Sequence, residues 1–217
     1  MIETHKPVVL FGLGSMSQRL RYYLDVVMDR RVVAVTVDRE HATVQDFEGL
    51  PVVPFDRVQE FFPPETHAMF VCVGYADRNI GRARVFAAAR EMGYELPAAI
   101  DPRAIRNNAA IGDGSWIAEG VMLGVFSRIG CGCLINPGTA IAHHTAVGDF
   151  CYLAGNVTIA GDCRIGERTM LGAGAIVRDG VEIAPGSLIG AGAVVLRSIE
   201  TSGIYTGNPA RLIKSPS

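Results

Sequence analysis

The chain has 217 residues, with 20 Lys+Arg against 22 Asp+Glu and 25 glycines. Nearly half of it (49%) is apolar, enough for a real core, which excludes global disorder. A net charge of −2 with no Lys/Arg run argues against a nucleic-acid partner, and no apolar run approaches the roughly 18–20 residues of a membrane span.

From the N-terminus, MIETHKPVVLF reaches Gly12 and Gly14 before a signal-peptide core could form, so a cytoplasmic location is expected. PVVLF reads as a short buried strand, and Gln18 to Asp29 as a helix. RVVAVTVD is a second strand ending at Asp38, and MFVCVG (69–74) a third. A helical stretch follows from Asp77 to Met92, and LPAAI (96–100) leads onward. Alternating strands and helices indicate a small parallel α/β unit over residues 1–100. The Gly-rich turn Gly12, Gly14, Ser15, Met16 is open to two readings. It is a plain tight strand–helix connection, or it brings backbone N–H groups and a helix N-terminus to a phosphate, with Asp38 near a sugar hydroxyl. Ser17 stands where a dinucleotide fingerprint has its third glycine, which favours a mononucleotide or nucleotide-sugar over NAD.

From Ile105 the chain repeats every six residues. Ile105, Ile111, Ile117, Leu123, Ile129, Ile135, Ile141, Val147, Leu153, Ile159, Ile165, Leu171, Val177, Ile183, Ile189 and Val195 hold one phase without a slip. A small side chain stands four residues after each, as at Ser115, Cys133, Thr145 and Ala175. A period of six fits neither a helix nor a long strand. It fits a β-helix in which each hexapeptide is one side of a three-sided coil. The aliphatic residue points inward, the small residue fits the corner, and residues eighteen apart stack at roughly 4.8 Å. The repeat is expected to span 101–200, with 201–217 as a tail that caps the far end and lines a groove near Pro209 and Arg211. The five cysteines are odd in number and lack a CxxC pair. Cys133, Cys151 and Cys163 take the small-residue position as packing groups.

His143 and His144 are the only histidines in the repeat. They follow the inward Ile141, so they fall on the outward part of their hexapeptide. Gly161, eighteen residues on, is expected directly over His143. A histidine suits proton removal from a nucleophile, and a glycine N–H suits a developing oxyanion.

The segments INPGTAIAHHTAVGDF, LAGNVTIAGDCRIG and YTGNPARLIK resemble the hexapeptide-repeat sugar acetyltransferases, in the sialic-acid O-acetyltransferase and bacillosamine N-acetyltransferase branch. The resemblance covers nearly the whole chain. It implies a Rossmann-like nucleotide-sugar-binding domain followed by a left-handed parallel β-helix, a homotrimer, and acetyl-CoA as co-substrate. It places the catalytic base on His143 and an acceptor contact on Asn136. The thioester contact falls on the backbone amide of Gly161, and CoA-lining positions fall on Gly172, Ala173, Gly174, Gly190, Ala191 and Gly192. It places the nucleotide-sugar loop on Gly12 to Met16, with Asp38 beyond it. Where relatives often carry an acidic residue after the catalytic histidine, this chain has His144, which could orient its neighbour or bind substrate. Tyr152 replaces a second histidine, and Ser15-Met16-Ser17 replaces a Gly-His-Gly.

Two other readings compete. A zinc site like that of γ-class carbonic anhydrases needs three converging histidines, and the repeat offers two, so no metal is expected. A non-catalytic trimeric scaffold binding nucleotide-sugar or protein is the alternative to an enzyme.

Overall fold

The computed structural model describes residues 5–215. The chain divides into two compact units. The first takes the chain up to Gly74 together with Arg82–Pro97, and the second takes Tyr75–Gly81 and everything from Ala98. Among the described residues, no helix is long and apolar enough to cross a membrane.

The first unit is built on a five-stranded sheet in the order β3-β4-β2-β1-β5. β1 (Val8–Phe11), β2 (Val32–Val37), β4 (Leu50–Pro54) and β5 (Ala68–Val71) run parallel, and β3 (Asp46–Phe47) joins β4 antiparallel at the edge. β1 and β5 are buried throughout, as continuous apolar runs in a parallel sheet should be. Helix α1 (Ser15–Tyr22) follows β1 and passes into a wider turn over Tyr23–Val27. Helix α2 covers Val58–Phe61, and α3 covers Ile80–Glu91. The sequence reading misses β3 and β4, because Pro51 and Pro54 interrupt the apolar signal. It also begins the last helix too early: Asp77, Arg78 and Asn79 have φ of 49°, 47° and 64°, a left-handed turn that precedes α3.

The second unit is a coil of two-residue strands arranged in three parallel sheets. Face 1 stacks Ala110–Ile111, Arg128–Ile129, Ala146–Val147, Arg164–Ile165 and Glu182–Ile183. Face 2 runs through Trp116–Ile117, Leu134–Ile135, Tyr152–Leu153, Met170–Leu171 and Leu188–Ile189. Face 3 stacks Met122–Leu123, Ala140–Ile141, Thr158–Ile159, Ile176–Val177 and Val194–Val195. Partners lie eighteen residues apart, as in Ile129↔Val147 and Ile141↔Ile159. The inward column from Ile117 to Val195 is buried on every rung. Each such side chain contributes roughly 1.5–3 kcal/mol on burial.

The small-residue position has a second function beyond fitting the corner. The side chains of Ser115, Cys133, Thr139, Thr145, Cys151 and Cys163 each donate to a carbonyl fifteen residues on, at 2.7 to 3.2 Å. A buried hydroxyl or thiol there ties one rung to the next at no cost in unsatisfied polar groups.

The ends of the coil depart from the repeat. Strand β6 (Ala99–Ile100) pairs with Trp116–Ile117 at a spacing of seventeen, and Ile105 bridges Met122 at the same spacing. A one-residue slip reverses which way a strand residue points. Ile105 therefore faces outward like Met122 and is 55% exposed, against the inward position expected of it. At the other end the spacing shortens to sixteen, in Leu188↔Ile204 and Ile183↔Ile199. The tail extends face 2 through Ile204–Thr206 and returns antiparallel over Arg211–Lys214.

Candidate active site

His143 and His144 occupy the corner between faces 3 and 1. Along this corner two columns run from rung to rung: Val125, His143, Gly161 and Asp179 in one, and Phe126, His144, Asp162 and Gly180 in the other. The second column is left-handed on every rung, with φ of 62°, 57°, 58° and 66°. Backbone bonds lock the columns together: His144 N–H donates to Val125 O, Asp162 N–H to His143 O, and Gly180 N–H to Gly161 O. Consecutive residues on an extended strand point to opposite sides. The left-handed turn at His144 instead brings the two rings to the same side.

The two imidazoles meet at Nδ1···Nδ1 3.1 Å, with ring centroids 5.3 Å apart. Only one proton fits between two such nitrogens, so one ring donates and the other accepts. If His143 donates, its Nε2 keeps a free lone pair. Asp162 Oδ2 stands 3.9 Å from His143 Nδ1. Phe126, 60% exposed, packs on His144 with ring centroids 5.0 Å apart. Gly161 lies against His143 as its spacing predicts: a Cβ there would stand 2.5 Å from Cε1, 2.8 Å from Nε2 and 3.1 Å from Nδ1. Only glycine leaves room for the ring.

Other expected site residues fall elsewhere or are already engaged. The Gly161 amide is not free for a thioester carbonyl in this structure, because it donates to Asp179 Oδ1 at 2.9 Å. Asn136 is 4% exposed and its side-chain amide donates to Leu153 O at 2.7 Å. It is part of the ladder of the coil, so an acceptor contact through this amide would compete with the bond to Leu153 O. Tyr152 lies on face 2, away from the His143 corner, and its ring meets Tyr75 at 4.9 Å. The chain does not bring Tyr152 to His143. Gly172, Ala173, Gly174, Gly190, Ala191 and Gly192 form two rungs of the corner between faces 2 and 3. The amides of Gly172 and Gly190 are used by Ile189 O and Tyr205 O, while Ala173 and Ala191 are exposed.

In the first unit, Gly12 has φ 128°, and a Cβ there would crowd Ser17 Oγ at 3.1 Å and Cys72 O at 3.2 Å. The Ser17 hydroxyl is buried and donates to Gly12 O at 2.8 Å, which explains a serine at the third-glycine position. Gly14 precedes α1, Ser15 and Met16 open it, and a Cβ at Gly14 would meet nothing within 4 Å. Asp38 pairs with Arg84 at 2.6 Å, so one of its oxygens is already engaged. Sequence reasoning missed Phe126, Asp162 and Asp179; all three were reachable by stepping eighteen residues from the histidines and Gly161.

Comparisons with known proteins agree with this architecture. Residues 126–161 and 162–197 match the bacterial transferase hexapeptide (six repeats) family. Among curated proteins, none matches by sequence. PerB from Caulobacter crescentus, solved with CoA and GDP-perosamine, is 30% identical with a TM-score of 0.86; the match covers 95% of this chain and 96% of that one. A histidine-to-alanine mutant of the GDP-perosamine N-acetyl transferase from the same organism is 29% identical, with a TM-score of 0.87 and the same coverage. The acetyltransferase domain of PglB from Neisseria gonorrhoeae FA1090 is 25% identical over 96% of this chain and 100% of that one, with a TM-score of 0.84. The chain thus belongs to the hexapeptide-repeat acetyltransferases, and it is an acyltransferase that joins a Rossmann-like unit to a left-handed parallel β-helix.

Proposed function

We propose that the protein transfers an acetyl group from acetyl-CoA to an amine or hydroxyl of a nucleotide-linked sugar, by direct attack with His143 as general base. One observation carries the reading: the His143 ring is seated on Gly161 and held at Nδ1 by His144, which leaves Nε2 for a substrate proton.

In this reading the His143 Nδ1–H donates to His144 Nδ1, and Nε2 accepts the proton of the attacking amine or hydroxyl. The nucleophile bonds to the thioester carbonyl carbon, the C–S bond breaks, and the CoA thiolate takes the proton back from the imidazolium. The buried thiols of Cys133, Cys151 and Cys163 are committed to carbonyls of the coil, which supports direct attack over an acyl-enzyme. The Gly12–Met16 turn and α1 would take the acceptor's phosphates, as helix N-termini do.

His143 and the Gly172–Gly174 and Gly190–Gly192 turns occupy two different corners of one coil. A homotrimer, in which one protomer's histidine corner faces the next protomer's glycine corner, would bring them together. The similarity to proteins solved with CoA and GDP-perosamine supports both the donor and the acceptor class.

The test is thiol release from acetyl-CoA against nucleotide-linked amino sugars and free sugars. His143→Ala is expected to lower turnover by about 10²- to 10⁴-fold while the fold persists. Undiminished thiol release in that variant would remove His143 from the mechanism.

A further inference from the structure

We propose that His143, His144 and Asp162 form a binding site for a divalent transition-metal ion of the zinc class, and that filling it switches acetyl transfer off. The inhibitory half rests on the function proposed above; the binding half stands by itself.

One donor atom from each of the three residues lies within 4.8 Å of the others. The two Nδ1 atoms are 3.1 Å apart, and His143 Nδ1 is 3.9 Å from Asp162 Oδ2. Zinc holds nitrogen and carboxylate oxygen at about 2.0–2.2 Å in a tetrahedron, which spaces its ligands by roughly 3.4 Å. Two of the separations bracket that value and all three stay within 4.8 Å, so rotation of the exposed His144 and Asp162 side chains closes the triangle onto an ion.

The donors are also held in place. The left-handed backbone at His144 fixes both rings on one side of the corner. Gly161 seats one ring and Phe126 supports the other. Asp162 sits one rung above His144, its N–H bonded to His143 O at 3.0 Å. Two imidazoles and one carboxylate suit Zn²⁺, Co²⁺, Ni²⁺ or Cu²⁺ and leave a fourth position for water. Mg²⁺ and Ca²⁺, which prefer all-oxygen shells, fit poorly.

Occupation is incompatible with base catalysis for a reason of valence. An ion on the Nδ1 lone pair of His143 leaves the neutral ring's single proton on Nε2. That is the nitrogen required to accept the substrate proton. The ion's charge also opposes formation of the imidazolium. The sequence leads one to expect no metal in the chemistry, and the proposal keeps that expectation: the ion stops the reaction and assists no step of it.

The experiment titrates the full chain, freed of metal by a chelator, with Co²⁺ alone and follows its visible d–d absorption. One ion per chain is expected, displaced by Zn²⁺ and not by Mg²⁺. His144→Gln and Asp162→Asn should each weaken binding by at least about tenfold, and His67→Gln should leave it unchanged. In the thiol-release assay, Zn²⁺ should inhibit the parent protein and a chelator should restore it. Asp162→Asn should raise the half-inhibiting concentration by the factor found for binding. Absence of a saturable spectrum, or a spectrum unaltered in both site variants, overturns the site. Cobalt binding without inhibition by zinc overturns the switch. Failure of the acetyl-transfer reading looks different: the metal-free protein releases no thiol from acetyl-CoA with any acceptor, while cobalt binding is unaffected.

Discussion

Replacing Gly161 with alanine puts a single methyl group under the ring on which the proposed chemistry depends. The added Cβ would stand 2.5 Å from His143 Cε1, whereas ordinary contact begins near 3.4 Å. The ring must therefore move outward by roughly 1 Å, a misplacement that costs about 10²-fold in rate. That corresponds to about 2.7 kcal/mol of barrier. Gly161 is not among the glycines with positive φ, so alanine adds no backbone strain and the coil should persist. The assay is thiol release at saturating acetyl-CoA and acceptor, beside a thermal melt. A lowered kcat with a nearly unchanged melt is the expected result. The double variant with His143→Ala should be no slower than His143→Ala alone, because both changes remove one function. A folded Gly161→Ala protein with the parent's kcat would refute the claim that this orientation of His143 is the productive one.

Asp179→Ala releases the Gly161 amide from a hydrogen bond worth about 1.5 kcal/mol. If that amide meets the thioester carbonyl, kcat/KM for acetyl-CoA should rise by up to about tenfold; a fall would show that Asp179 serves only to hold the corner. Burial raises the pKa of the Cys163 thiol, and its Sγ donates to Arg178 O at 3.1 Å. Cys163→Ser should therefore keep turnover within about threefold, and loss of turnover or a burst of acyl-enzyme would defeat direct attack. Asp101 is buried and accepts three hydrogen bonds from Arg103, which hold its carboxyl below the usual range. Its contribution to stability is complete above the ordinary carboxylate pKa and is lost as pH falls through the lowered one. Asp101→Asn should cost about 1.5–3 kcal/mol near neutral pH and less in acid, as read by denaturant melts.

The coil was legible because every rung repeats the same physical requirement. An inward aliphatic residue, a small corner and a left-handed turn recur without a slip from Ile111 to Val195, so spacing alone placed Gly161 over His143. What the repeat could not reveal is where it loses register. Ile105 obeys the six-residue pattern and still points outward, because the first turn is one residue short. Spacing also fixes which residues stack but not which donors are already spent. The Gly161 amide, the Asn136 side chain and one Asp38 oxygen each have a partner in the fold that no motif announces. In the first unit, Ser17 departs from the dinucleotide fingerprint, and only the fold shows that its hydroxyl completes the Gly-rich turn by bonding Gly12 O.

Part of the backbone at the histidine corner is already engaged from rung to rung. Val125 O, His143 O and Gly161 O each accept an amide from the next rung, and the Gly161 N–H is held by Asp179. Stacked rungs cannot shift singly without breaking these bonds, so the corner behaves as a rigid frame. Proton transfer there falls to the side chains at 143–144, 162 and 179. Of these, only the two imidazoles can take up a proton as neutral bases, while the Asp179 carboxylate is bound to the Gly161 amide. A rigid frame that presents such a base suits acyl transfer from a thioester, where the donor is already activated and the acceptor needs only to lose a proton. It does not suit substrate selection, which needs adaptable contacts. Discrimination between acceptors therefore falls to surfaces outside this corner.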